Sequence, residues 1–193
     1  MPAVLGPQAF CYTFYMETVR ESEWWRGDWK RLSVALIATV YFTYYALTPM
    51  SWHFIDAVNL LIHEAGHVIF IPFGLFMHIL GGSLFQTIFP FAFVTYFYIH
   101  RDYFSASLLL FWVGQNLVNV SVYASDAIVM QLPLLGGDTS GHDWHNLLSM
   151  LHLFPYTFGI GKSIYLAGVL VIAVAAYIAI LNSQMIPVRK WED

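Results

Sequence analysis

The run His63-Glu64-Ala65-Gly66-His67 sets two imidazoles four residues apart with a carboxylate beside the first. On a helix, residues i and i+4 share a face, so both rings can meet one metal ion while Glu64 stays free. The chemistry expected of such a set is hydrolytic. Zinc is held by the histidines, and the glutamate takes a proton from the attacking water and passes it to the leaving group. Gly66, with Ala65 beside it, lets another helix or a peptide backbone come close.

Catalytic zinc takes three protein ligands and keeps a fourth position open. Two segments offer the third. Gln115, Asn119 and Asp126 stand at spacings of four and seven, a polar stripe aimed into a helical bundle. The run His142-Asp143-Trp144-His145 follows a glycine-containing loop, and His142 and His145 share a face if that run is helical. His142 is favoured slightly over Asp126, because neutral imidazole is a common zinc ligand and the glycines free the loop to dip inward. Whichever of the two does not bind is expected to orient a ligand from behind. His53, His78, His100 and His152 read as packed or interfacial rings.

The elements that must position these groups are membrane helices. Of 193 residues, 59% are hydrophobic and 10% charged. A soluble domain carries about a quarter charged residues, so this chain could not cover its surface in water. A net charge of −4 without a basic stripe speaks against a nucleic-acid partner. The single cysteine, Cys11, excludes an internal disulfide and a multi-cysteine metal site, and reads as an inert apolar residue. The first 31 residues lack the basic start and cleavage site of a secretory signal.

A helix needs about 20 apolar residues to span the hydrocarbon core. Residues 32–50 form one such run, behind Arg26, Lys30 and Arg31 and three tryptophans, which predicts an interfacial helix over 17–30. The second run, 54–80, holds His63 to His67 and is too long for one span. Pro72 and Gly74 predict a break, leaving a helix over 54–71 and a short bent extension ending at Gly81-Gly82. Further spans are expected over 85–100, 103–124 and 165–181, with a polar loop over 125–161 that includes a short helix over 146–154. The sequence thus predicts an all-α polytopic membrane protein of about five transmembrane helices. An N-terminal interfacial segment (1–31) precedes the membrane domain (32–186), and a polar tail (187–193) follows it. With five spans, Arg20, Arg26, Lys30, Arg31 and Lys162 fall on the N-terminal side, and Arg101, Arg189 and Lys190 on the other, which favours a cytoplasmic N-terminus.

With His63-Glu64-Ala65-Gly66-His67 in a span, then Gly81-Gly82, a polar span and a late acidic residue, the chain resembles the intramembrane zinc metallopeptidases of the site-2 protease type. That resemblance implies hydrolysis of peptide bonds within or near the bilayer, with Glu64 as general base and His63 and His67 as ligands. The family's third ligand is an aspartate in Asn-Pro-Asp-Gly or Leu-Asp-Gly. This sequence has neither, and Ser125-Asp126-Ala127 stands nearest. Over about half of its length the chain is also similar to small bacterial membrane proteins related to those peptidases. The likeness lies in Gly114-Gln115, Asp126-Ala127, Leu132-Pro133-Leu134, Gly136-Gly137 and His142-Asp143-Trp144. It implies that Asp126, His142 and Asp143 belong to the same site as His63, in a bacterial cytoplasmic membrane.

The leading expectation is therefore a membrane-embedded zinc hydrolase acting on a membrane peptide. A second is a non-catalytic subunit of a larger membrane complex, since the chain is small and its Trp- and Tyr-rich faces could pack on partners. A di-metal lipid oxidase using His63, His67, His142 and His145 ranks third.

Overall fold

The computed structural model describes residues 28–135 and 139–184, and all their regular structure is helical. Cys11, nearly all of the interfacial helix expected over 17–30, Gly136-Gly137 and the tail 187–193 lie outside the described residues.

Helix α1 (Trp29–Leu47) starts where Asp28 Oδ1 accepts the N–H groups of Lys30 at 2.9 Å and Arg31 at 3.3 Å, and ends before Pro49. Helix α2 (Phe54–Phe70) runs into a single 3₁₀ turn around Pro72, and Gly74 at φ 88° turns the chain into α3 (Leu75–Ile99). Helix α4 (Tyr103–Ser125) is capped by Asp102, which accepts from the Ser105 N–H and hydroxyl at 3.1 and 2.7 Å. A long connection leads to the short α5 (Asp143–Met150), and α6 (Thr157–Gln184) closes the described chain.

The break at Pro72 and Gly74 falls where expected, but Gly81-Gly82 ends nothing. One 25-residue helix runs through both glycines and on past the buried Pro90. The glycines are there for close approach: a Cβ on Gly66 of α2 would overlap the Gly81 carbonyl, and one on Gly81 would lie 2.8 Å from the Gly66 oxygen. Small residues at a crossing let helix backbones touch, which membrane helices favour because lipid gives them no hydrophobic push together.

A second small-residue seam joins α4 and α6, the most extensive pairing in the molecule. Here a Cβ on Gly168 would meet the Gly114 oxygen at 2.8 Å and the Val118 nitrogen at 2.9 Å. Phe111, Val118, Ile172, Ala175 and Ala179 continue this core, and α1 adds Ala35, Tyr45 and Ala46. Phe42 stacks on Phe111 with ring centroids 5.2 Å apart.

Four segments are long and apolar enough to cross a membrane: Phe54–Phe73, Leu75–Ile99, Tyr103–Ser125 and Phe154–Gln184. Their outer faces carry exposed Leu, Ile, Val and Phe, the surface that lipid solvates. Chain direction adds a constraint that length and composition do not carry. The Asp28 N–H donates to the Ser183 carbonyl at 3.2 Å, and the Tyr165 hydroxyl to the Ala46 carbonyl at 2.9 Å, so α1 and α6 are antiparallel. The Arg31 guanidinium lies 5.3 Å over the Phe104 ring, so α4 starts at the end where α1 starts. The described chain therefore begins and finishes at one end of the bundle, which an odd number of traverses cannot produce.

The sequence predicts five spans, and four segments among the described residues have the length and composition to cross a membrane. Helix α3 runs against α4, with Phe89 on Trp112 and Gln86 bonded to Asn119 at 2.8 Å. Its first residues thus lie at the Ser125 end. Helix α2 enters from that end, after Met50, and leaves at that end into α3. Among the described residues α1, α3, α4 and α6 run along the bundle, and α2 is an unbroken helix packed against α3.

Candidate metal centre

The crossing at Gly66 and Gly81 presses the His63–His67 face of α2 against α3. Two hydrogen bonds fix His67 and its neighbour reciprocally. His67 Nδ1 lies 2.8 Å from the His78 carbonyl, and His78 Nδ1 lies 2.9 Å from the His67 carbonyl. His63, only 7% exposed, turns its Nδ1 to Gln86 Oε1 at 3.1 Å. Both Nδ1 atoms face oxygen acceptors, so both carry protons, and in the neutral rings both Nε2 atoms are left with lone pairs. Gly82 of α3 makes room for them: a Cβ there would stand 2.5 Å from His63 Nε2 and 2.6 Å from His67 Nε2.

The third group comes from α5. Asp143 Oδ2 lies 2.9 Å from His63 Nε2 and 3.2 Å from His67 Nε2. These three residues form the only group among the described residues whose atoms are gathered for a metal ion, all within 4.8 Å. Tetrahedral zinc at about 2.0 Å from each ligand sets ligand atoms about 3.3 Å apart. The observed spacings need only a few tenths of an ångström of opening. Two imidazoles and one carboxylate are also a donor set that catalytic zinc uses. The residues fit the ion.

His142 and Asp126, the two third ligands weighed from the sequence, stand beside this centre and are otherwise engaged. His142 caps α5, its Nδ1 accepting the His145 N–H at 3.2 Å. Its proton must then be on Nε2, which faces Asp126 Oδ2 at 3.4 Å, so neither nitrogen has a lone pair to give. Burial, only partly offset by the Asp126 carboxylate, lowers the His142 pKa below its ordinary value and keeps the ring neutral. Asp126 gathers the loop, accepting the N–H groups of Gln131 at 3.0 Å and Leu132 at 2.9 Å.

The outcome of this scaffolding is the placement of Asp143. Its N–H donates to the Tyr123 hydroxyl at 3.0 Å, Trp144 Nε1 donates to Ser83 Oγ at 3.1 Å, and His145 Nδ1 bonds the Ala127 carbonyl at 2.8 Å. Burial works to raise the Asp143 pKa, but the His63 and His67 rings against its Oδ2 outweigh it and hold the carboxyl below its ordinary range. Spacing alone did not single out Asp143. The one pointer was its place in His142-Asp143-Trp144, where the capping histidine precedes the ligand by one residue.

Glu64 is exposed at the rim, and its charge acts on the His67 ring and the Tyr123 hydroxyl. Leu61, Ala65 and Val68 around it on α2 are exposed as well. The carboxylate thus stands on an otherwise apolar stripe beside His63 and His67. No protein-family model matches the chain, and neither do curated proteins or solved structures.

Proposed function

We propose that this chain is a membrane-embedded, zinc-dependent hydrolase of peptide bonds, with His63, His67 and Asp143 as its ligands. One observation carries the reading. Two imidazole lone pairs and a carboxylate oxygen converge on one point, with the imidazole protons turned away towards Gln86 and His78. With both rings neutral, such a convergence is repulsive unless a cation stands within it. When bound there, zinc supplies Lewis acidity to a carbonyl oxygen and to water.

The remaining chemistry belongs to the protein. Glu64 takes one proton from water as the water oxygen bonds to the carbonyl carbon, and it gives that proton to the departing nitrogen as the C–N bond breaks. The exposed apolar stripe around Glu64 supports a substrate that is itself an apolar, membrane-embedded segment. Asp143 arrives from the connection between α4 and α6, so the centre lies towards the Ser125 end of the bundle. Lys30, Arg31 and Arg101 stand at the other end, and Lys162 at the Ser125 end. That asymmetry supports a cytoplasmic Asp28 end, with the centre in the opposite half of the bilayer. It regroups Lys162 and Arg101 relative to a five-span count.

The test is metal analysis of the purified protein. One zinc per chain is expected, lost in His63→Ala and Asp143→Ala and retained in Glu64→Ala. Cleavage of membrane-segment peptides should vanish in Glu64→Ala. Equal metal in the parent and in His63→Ala would remove the centre, and iron in place of zinc would overturn the hydrolase reading, because two histidines and a carboxylate also hold oxygenase iron.

A further inference from the structure

A chain of buried and half-buried side chains leads away from the centre through three helices. Asp56 at the start of α2 accepts at Oδ1 from the Tyr45 hydroxyl (2.7 Å), from Gln115 Nε2 (3.1 Å) and from Asn119 Nδ2 (3.2 Å). Its other oxygen accepts the His53 N–H at 2.8 Å. Asn119 of α4, with its amide nitrogen committed to Asp56, has only its oxygen left, and this accepts Gln86 Nε2 at 2.8 Å. Gln86 of α3, its nitrogen likewise spent, turns Oε1 to His63 Nδ1.

Each amide has one donor end and one acceptor end, so the first link decides all the others. Were Asn119 reversed, its oxygen would face the Asp56 oxygen; Gln86 would then offer N–H to a histidine nitrogen, and His63 would move its proton to Nε2. The Asn59 bonds hold the same polarity from the side. Asn59 donates to Gln115 Oε1 at 2.8 Å, leaving the Gln115 nitrogen for Asp56, and accepts from Trp112 Nε1 at 2.8 Å. Asp56, Asn59, Gln86 and Gln115 are all buried.

We propose that Asp56, Asn119 and Gln86 form a directional hydrogen-bond relay that acts as a positioning device for His63, fixing its proton on Nδ1 and holding Nε2 open for a metal ion. The proposal rests on the metal reading of the centre and adds the reason why one tautomer is enforced there. It also assigns the polar face of α4 a task. Gln115 holds Asp56 in place, and Asn119 acts on His63 through Gln86.

The experiment has two readouts. Nitrogen-15 spectra of histidine-labelled protein in detergent, assigned with His63→Ala, should show His63 protonated on Nδ1 with and without zinc; a bare Nδ1 in either state overturns the relay. Zinc titration should show Gln86→Leu weakened by about 10–100-fold, the usual effect of removing a ligand's hydrogen-bond partner. Gln86→Glu, which keeps an acceptor oxygen on His63, should recover most of that loss. Asn119→Leu should cost less than Gln86→Leu and leave His63 a mixture of tautomers. Equal affinity in the parent and Gln86→Leu overturns the proposal even if every variant folds. Should the parent bind no zinc, the metal reading fails while the spectra still decide the relay.

Discussion

The two glycine-mediated crossings solve different problems with the same residue. Where Gly114 meets Gly168, the contact is apolar, and the surrounding side chains are Phe111, Val118 and Ile172. Where Gly66 meets Gly81, the next turns on each side carry His63, His67, Gln86 and His78, all hydrogen-bonded across the seam. The first crossing is a structural spine, and the second is a frame for polar groups that lipid would otherwise penalise. Changes to the spine should thus read out as stability, and changes to the frame as ligand binding.

The largest expected effect tests the frame. A methyl group in Gly82→Ala would press on both Nε2 atoms, and the rings cannot retreat because α3 itself holds their Nδ1 atoms. Zinc affinity should fall by more than about 100-fold, beyond the 10–100-fold seen for indirect partners, while circular dichroism remains helical. Retained binding would show that the space at Gly82 is not the metal position. The corresponding spine variant, Gly168→Val, meets backbone atoms of Gly114 and Val118. Overpacking should lower unfolding stability by about 1–3 kcal/mol in detergent, with zinc still stoichiometric in the folded fraction.

A smaller effect separates support from ligation. His142→Ala removes the cap of α5 and should destabilise by about 1 kcal/mol. Zinc should weaken less than in Asp143→Asn, because Asp143 keeps its bond to Tyr123. A greater loss in His142→Ala than in Asp143→Asn would make His142 the ligand after all. Smallest is the acid dependence at Asp102. Burial raises its pKa, but the Ser105 bonds and Arg31 bring it below the ordinary value. A lowered folded-state pKa contributes stability that is present above the unfolded value of about 4 and lost as pH falls through the folded one. Unfolding of Asp102→Asn should therefore depend less on pH below about 4 than unfolding of the parent.

The sequence exposes what depends on local chemistry. Asp102 marks the start of α4, Pro72 and Gly74 mark the turn after α2, and the His63–His67 spacing places two rings on one face. What it hides are choices made between elements. A glycine pair such as Gly81-Gly82 can end a helix or admit a neighbour, and only the presence of α2 decides. His142 and Asp126 attract attention by residue type, but their lone pairs and protons are committed to backbone and to each other. Asp143 looks like a loop carboxylate until the His142 cap and Tyr123 direct it inward. The traverse count depends on α1 meeting α6, a contact across nearly the whole described chain.

That meeting of α1 and α6 also constrains assembly. Among the described helices the partner of α1 is the last to be synthesised, so the α1 face at Ala46 waits uncovered in the bilayer until α6 has been threaded in. The hairpin of α2 and α3 can form its contacts long before. The pair His63 and His67 is thus organised early, and the enclosing wall arrives late, with the Asp28–Ser183 bond as the clasp that closes it.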